Sequence, residues 1–239
     1  MDTRKIARVT GWLMVVTFVT SIPAYFILYA PVRDDPSLIT GAGADPTASV
    51  ALGAFLELIL IIAAVGTAVV PYVVFKRYSE GLALGYVAAR LVENFFIGIG
   101  IISLLAFLFM RQEGTAGADA ALGEVFVAIH DRSFLIGPGI FAGVANGMIL
   151  GYLMYRSGLV PRGLAMLGLI GGTLLAASGI AIMFDVFERG STPQALATIP
   201  EFIWELSFGI YLIVKGFRPS PILSGSAGDV GVGTGSSPA

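Results

Sequence analysis

Long apolar runs broken by short polar links organise this chain. Six segments, 12–30, 50–75, 82–110, 134–155, 164–187 and 195–214, each hold about the 20 mostly apolar residues that a helix needs to cross the hydrocarbon core. Alternation over about ten residues, the mark of a membrane β-barrel strand, is absent, and the runs are too long for it. The pattern predicts an all-α polytopic membrane protein, a six-helix transmembrane bundle. The connection 31–49, rich in Pro, Gly and Asp, has turn chemistry without helical periodicity and reads as an outer loop. In 119–132, Leu122, Val125, Phe126 and Ile129 recur at i, i+3, i+4 and i+7, which predicts an interfacial helix or an extension of the fourth span. The links 76–80 and 156–163 are short enough to make antiparallel neighbours of the helices they join. Beyond Phe217 the chain turns to Pro, Gly, Ser and Ala, a composition that cannot bury enough apolar surface to order itself. The expected division is therefore a transmembrane domain over 1–218 and a disordered cytoplasmic tail over 219–239.

Composition agrees with this picture. The chain has 239 residues, of which 56% are hydrophobic and 13% charged, and its mean hydropathy of +0.87 lies far from that of a soluble domain. Its net charge of −2 and lack of long Lys/Arg runs give no reason to expect nucleic acid as a partner. The absence of cysteine excludes disulfides, thiolate catalysis and Cys-ligated metal centres. Arg4, Lys5 and Arg8 precede the first apolar run, as in a signal peptide, but the run continues to Ala30 and reads as a retained helix. Arg4, Lys5, Arg8, Lys76, Arg77, Arg156, Arg162, Lys215 and Arg218 fall on one side of the predicted bundle, against Arg33, Arg111, Arg132 and Arg189 on the other. The positive-inside rule then puts both termini in the cytoplasm.

Among the polar residues within the apolar spans, seven stand out as candidates: Glu57, Arg90, Glu93, Asn94, Asn146, Glu201 and Glu205. A charge at the bilayer centre costs roughly 2.5 to 3.5 kcal/mol on insertion scales, so ionisable residues at such positions mark a functional site by default. Arg90 and Glu93 stand one turn apart, the spacing of an ion pair that can also serve packing alone. At 1.5 Å per residue, Glu57 lies about 10 Å and Glu205 about 15 Å below the outer ends of their runs, while Glu93 lies about 16 Å from the opposite end of its own. The three carboxyls could thus meet near or somewhat outside the midplane. Four carboxyls against one arginine leave an excess of three negative charges if all ionise, so some are expected to carry a proton or hold a cation. Glu201 and Glu205, at i, i+4, would repel one another as anions, a conflict that Glu201 would escape by sitting nearer the outer water. Asn146 lies in the small-residue stretch 143–147, whose ordinary meaning is close helix packing. Gly137, Pro138 and Gly139 read as a kink, or as a loop end if the fourth helix starts later.

His130 is the only histidine and is expected at the outer mouth of the fourth span, flanked by Asp131 and Arg132. It could act as a ligand or proton carrier near neutral pH, or simply be solvated or capping. A metal would need His130 together with carboxylates such as Glu93 and Glu205, and no helical metal-binding spacing supports one, so no metal is assigned. Neither a nucleophile elbow nor a phosphate-binding glycine loop is present, and the sequence asks for no cofactor.

The order of several features resembles a known family. These are the Arg90-Leu91-Val92-Glu93 segment, Ile129-His130-Asp131 before the fourth span, and Leu153-Met154-Tyr155-Arg156-Ser157 leading through Val160-Pro161-Arg162 to Leu167-Gly168. Pro200-Glu201 and Ile213-Val214-Lys215-Gly216-Phe217 then close the sixth span. Over about 5–217 the chain resembles the bacterial membrane proteins catalogued as domain of unknown function 4386. The resemblance implies a six-helix integral protein of the bacterial cytoplasmic membrane and implies no activity. Function is therefore read from the residues: a polar intramembrane core that binds, senses or moves a small solute or proton. The rivals are a membrane-embedded enzyme using an intramembrane carboxylate and a structural or partner-binding membrane subunit.

Overall fold

The apolar runs fold as six helices: α1 (Thr3–Leu28), α2 (Thr47–Phe75), α3 (Glu80–Gln112), α4 (Ala120–Ser157), α5 (Arg162–Met183) and α6 (Thr192–Val214), each long and apolar enough to cross a membrane. The computed structural model describes residues 2–114 and 119–224, and no strand occurs among them. Local chemistry sets the ends. The Ser79 and Asp119 side chains accept the backbone N–H of Leu82 and Leu122 and so cap α3 and α4. Gly158, at φ 68°, ends α4 in the left-handed region that favours glycine.

Each helix packs chiefly on its neighbours in sequence, and α6 returns to pack on α1, so the six close into a ring. Gly216 at the end of α6 lies beside Arg4 and Ala7 of α1, which puts the start of α1 and the end of α6 on one face, here the terminal face. The half of the bundle nearer that face is filled by a core that includes Met14, Phe75, Tyr86, Leu153, Trp204 and Phe208. A second core around Tyr29, Leu38, Ile39, Leu104 and Phe107 fills the opposite half. Ile62, Phe95 and Ile102 remain exposed on the rim of the ring, as suits a surface solvated by hydrocarbon.

Two helices contain wide turns bonded at i+5, each beside a proline, a residue with no N–H to donate. After Pro23 of α1, Tyr29 bonds back to Ala24, and around Pro138 of α4, Ala142 bonds back to Gly137. Wide turns cover Ala24–Leu28 in α1 and Leu135–Phe141 and Gly143–Leu150 in α4. Gly137 to Gly139 is thus part of a wide turn inside a helix and not a loop end. Of the two alternatives for 119–132, the extension holds, since α4 begins at Ala120.

The connection 31–49 departs from a plain loop. It contains helical turns at Ala30–Asp34 and Pro36–Thr40, and Val32, Leu38 and Ile39 are buried. Arg111 pins it through the carbonyls of Leu38, Ala42 and Ala44. Thr47, through its hydroxyl and N–H, holds the Asp45 carboxyl below its usual range. Past α6, the Arg218 N–H donates to Leu159 O at 2.8 Å and the Ser220 hydroxyl to Ser157 O at 2.7 Å. Ile222 and Leu223 then lean on the core. These first tail residues are held on the bundle by contacts that composition does not reveal, and 225–239 lie outside the described residues.

Candidate functional site

Arg90 is 3% exposed and bonded on two sides: Nη1 donates to Glu93 Oε2 at 2.7 Å and Nε to the Ala64 carbonyl of α2 at 3.2 Å. The i, i+3 spacing on α3 makes the first bond, and the α2 carbonyl makes the second available across the helix interface. Asn94 donates to the Arg90 carbonyl at 2.7 Å and leaves its own Oδ1 buried without a partner.

Asn146 stands in the wide-turn stretch of α4. Its Oδ1 accepts the Tyr86 hydroxyl at 3.0 Å, its Nδ2 donates to Glu205 Oε1 at 2.5 Å, and its carbonyl accepts the Trp204 indole N–H at 3.0 Å. Thr67 donates to Ala64 O at 2.6 Å. With the Tyr86 proton on Asn146 and the Thr67 proton on Ala64, the 3.4 Å approach of the two hydroxyls has no proton left to make a bond. Arg90, Glu93, Glu201 and Glu205 are near enough to act on one another electrostatically. α3, α4 and α6 therefore bring together Arg90, Glu93, Asn146, Glu201 and Glu205, with α2 supplying a carbonyl.

Glu201 is the odd member. It is 2% exposed, and neither carboxyl oxygen has a hydrogen-bond partner. The expectation that it escapes toward water is corrected, because α5 and α6 approach so closely that a Cβ on Gly171 would lie 2.5 Å from the Glu201 backbone nitrogen. On the other side, a Cβ on Gly147 would lie 2.7 Å from Glu201 Oε2 and 2.2 Å from the Gly172 Cα. Glycines on α4 and α5 thus make a slot that admits the carboxyl and holds it dry.

Glu57 does not join this cluster. Its Oε2 accepts the Tyr29 hydroxyl at 2.9 Å, and desolvation and Tyr29 dominate its surroundings. Spacing along the sequence grouped Glu57 with the other carboxyls, whereas the contact with Tyr29 sets its direction. Near this pair sits His130, 1% exposed, edge-on to Tyr29 at 5.1 Å and stacked on Tyr25 at 6.0 Å. A solvated or capping histidine was the plain expectation; the aromatic wall of α1 buries it instead. Its Nδ1 is 3.5 Å from Asp131 Oδ1 but without hydrogen-bond alignment.

Above His130, Arg33 and Arg189 converge on one carboxylate, Asp131, at 3.3 and 3.2 Å. Both also donate to the Tyr25 hydroxyl, at 2.7 and 2.6 Å. Sequence reading had counted these arginines only as orientation signals. Tyr86, Thr67, Trp204, Tyr25 and Tyr29 were missed altogether, because tyrosine, threonine and tryptophan blend into an apolar run. Periodicity offered one signal: Tyr86 is one turn before Arg90 on the face that continues through Glu93 and Ile97. No set of three or more His, Asp or Glu able to hold a metal is found among the described residues.

The fold and this buried network define a multi-pass helical membrane protein with two polar centres inside its bundle. Residues 9–216 match the family model described as "Domain of unknown function (DUF4386)", and the chain belongs to that family. No curated protein and no solved structure matches it.

Proposed function

We propose that this family member is a bacterial cytoplasmic-membrane protein, with both termini in the cytoplasm, whose buried network binds and moves protons. One observation carries the reading: Glu201 lies dry between glycine-lined helices with both oxygens unpartnered. An unpaired carboxylate in such a place costs several kcal/mol, about what a carboxylic acid bearing its own proton avoids. Glu205, one turn away and bonded to Asn146, is the natural exchange partner, and Arg90, paired with Glu93, lies nearby. Glu57 with Tyr29 forms a separate carboxyl centre toward the opposite face.

A structural subunit is the second reading, favoured by the way Arg90 ties α2 to α3 through Ala64 and Glu93. It gives no reason for Glu201. Proteoliposomes holding a trapped pH-sensitive dye and an imposed pH gradient separate the two. The native protein should dissipate the gradient faster than empty liposomes, and Glu201→Gln, at an unchanged melting temperature, should fall to the empty-liposome rate. A native rate no faster than empty liposomes, or an unimpaired Glu201→Gln, would leave the structural reading standing.

A further inference from the structure

Two openings adjoin on the face opposite the termini, and the first shares Asp131 and Arg189 with the arginine cap over His130. One is a charged cleft of about 320 Å³ between α4 and the α5–α6 connection, lined by Arg132, Asp185, Glu188 and Arg189 among others. The other is a groove of about 400 Å³ between α3 and α4, apolar apart from its rim, with Phe96, Val125, Ile129 and Ile136 in its wall. Ala128 and Arg132 line both, so the two adjoin along one exposed strip of α4.

The charges in the cleft are not equivalent. Arg189 is committed to Asp131 and Tyr25. The side chains of Arg132, Asp185 and Glu188 make no hydrogen bond or ion pair among the described residues. The cleft therefore offers one free cation that it shares with the groove and two free anions that line the cleft alone. A partner that matches it carries a phosphate next to an apolar chain and an ammonium beyond the phosphate.

We propose that this double opening is a binding site for a zwitterionic glycerophospholipid with a primary ammonium, a phosphatidylethanolamine. Arg132 holds the phosphate, Asp185 and Glu188 receive the N–H donors of the ammonium, and one acyl chain lies in the α3–α4 groove. A guanidinium on phosphate and an ammonium on carboxylates are charge-assisted contacts, stronger than neutral hydrogen bonds. Choline cannot supply the N–H donors, and a glycerol headgroup supplies no cation to set against the two carboxylates. The groove favours a lipid over a free phosphomonoester, because only the lipid has apolar surface to bury there. The site is independent of the proton reading, and either can fail alone.

The test uses the full chain in nanodiscs of phosphatidylcholine doped with a minority of either phosphatidylethanolamine or phosphatidylglycerol, released gently and weighed by native mass spectrometry. Phosphatidylethanolamine should be retained about tenfold over phosphatidylglycerol, the worth of one charge-assisted contact. Asp185→Asn with Glu188→Gln should erase that preference, and Arg132→Gln should reduce retention of both lipids. Ile129→Trp, which fills the groove, should do the same without touching a charge. All four side chains are exposed, so melting temperatures should stay at the native value, and a variant that melts lower is replaced by Val125→Trp or Arg132→Ser read in the same way. Equal retention of the two lipids by the native protein would overturn the proposal. So would native-like retention in Arg132→Gln, or displacement of the lipid by soluble phosphoethanolamine, which would show a headgroup site that does not use the groove.

Discussion

Asn146 holds Glu205 by a 2.5 Å bond from its Nδ2 while its Oδ1 accepts the Tyr86 hydroxyl at 3.0 Å. One amide thereby joins α3, α4 and α6 at the middle of the ring. Asn146→Leu keeps the volume but strands a buried hydroxyl and a buried carboxyl oxygen, each at about 1 to 3 kcal/mol. The variant should melt well below the native protein in detergent. Adding Tyr86→Phe and Glu205→Gln should restore part of the loss, because the orphaned groups are then removed or made less costly.

Arg90 and Glu93 test whether their charges act as a unit. Arg90→Ala leaves Glu93 without its partner, and breaking a buried pair costs about 3 to 5 kcal/mol. Arg90→Leu with Glu93→Gln should recover much of that in a thermal melt. Recovery should stay incomplete until Glu205→Gln is added, since Glu205 also lies within the field of Arg90. A double variant no better than Arg90→Ala alone would mean that the Ala64 carbonyl, and not Glu93, is the contact that matters.

Close helix approach makes a second kind of demand. At Gly147 a Cβ would come within 2.2 Å of the Gly172 backbone, so Gly147→Ala must push α4 away from α5. Overpacking of this sort costs about 1 to 3 kcal/mol. Gly98 on α3 has open space where its Cβ would go, and Gly98→Ala should be neutral or gain up to about 1 kcal/mol from helix propensity. The contrast in melting temperature between the two checks the packing independently of any charge.

Much of the fold was legible because membrane spans announce themselves by length. Each of the six apolar runs overlaps a helix, and the largest error, the start of α4, fell where 119–132 showed helical spacing and two alternatives stood open. Arg90 with Glu93 was readable from i, i+3 spacing alone. The company each polar residue keeps was not readable, because it depends on how helices rotate in the ring. Glu57 turned to Tyr29, and Glu201 entered a glycine slot instead of moving toward water. His130 and its arginine cap were hidden for a related reason. A wide turn holds Tyr25 and another begins at Leu135 just after His130, and no simple period describes a helix that changes its pitch.

The central claim is that Glu201 carries an exchangeable proton inside the bundle. Infrared difference spectroscopy of the protein in membranes, recorded across a pH step and repeated in heavy water, reads this directly through the carbonyl stretch of a protonated carboxylic acid. The native protein should show such a band, shifted in heavy water, and Glu201→Gln should lose it while Glu57→Gln does not remove the same component. A native spectrum with no protonated-carboxyl band, or one that Glu201→Gln leaves unchanged, would contradict the account.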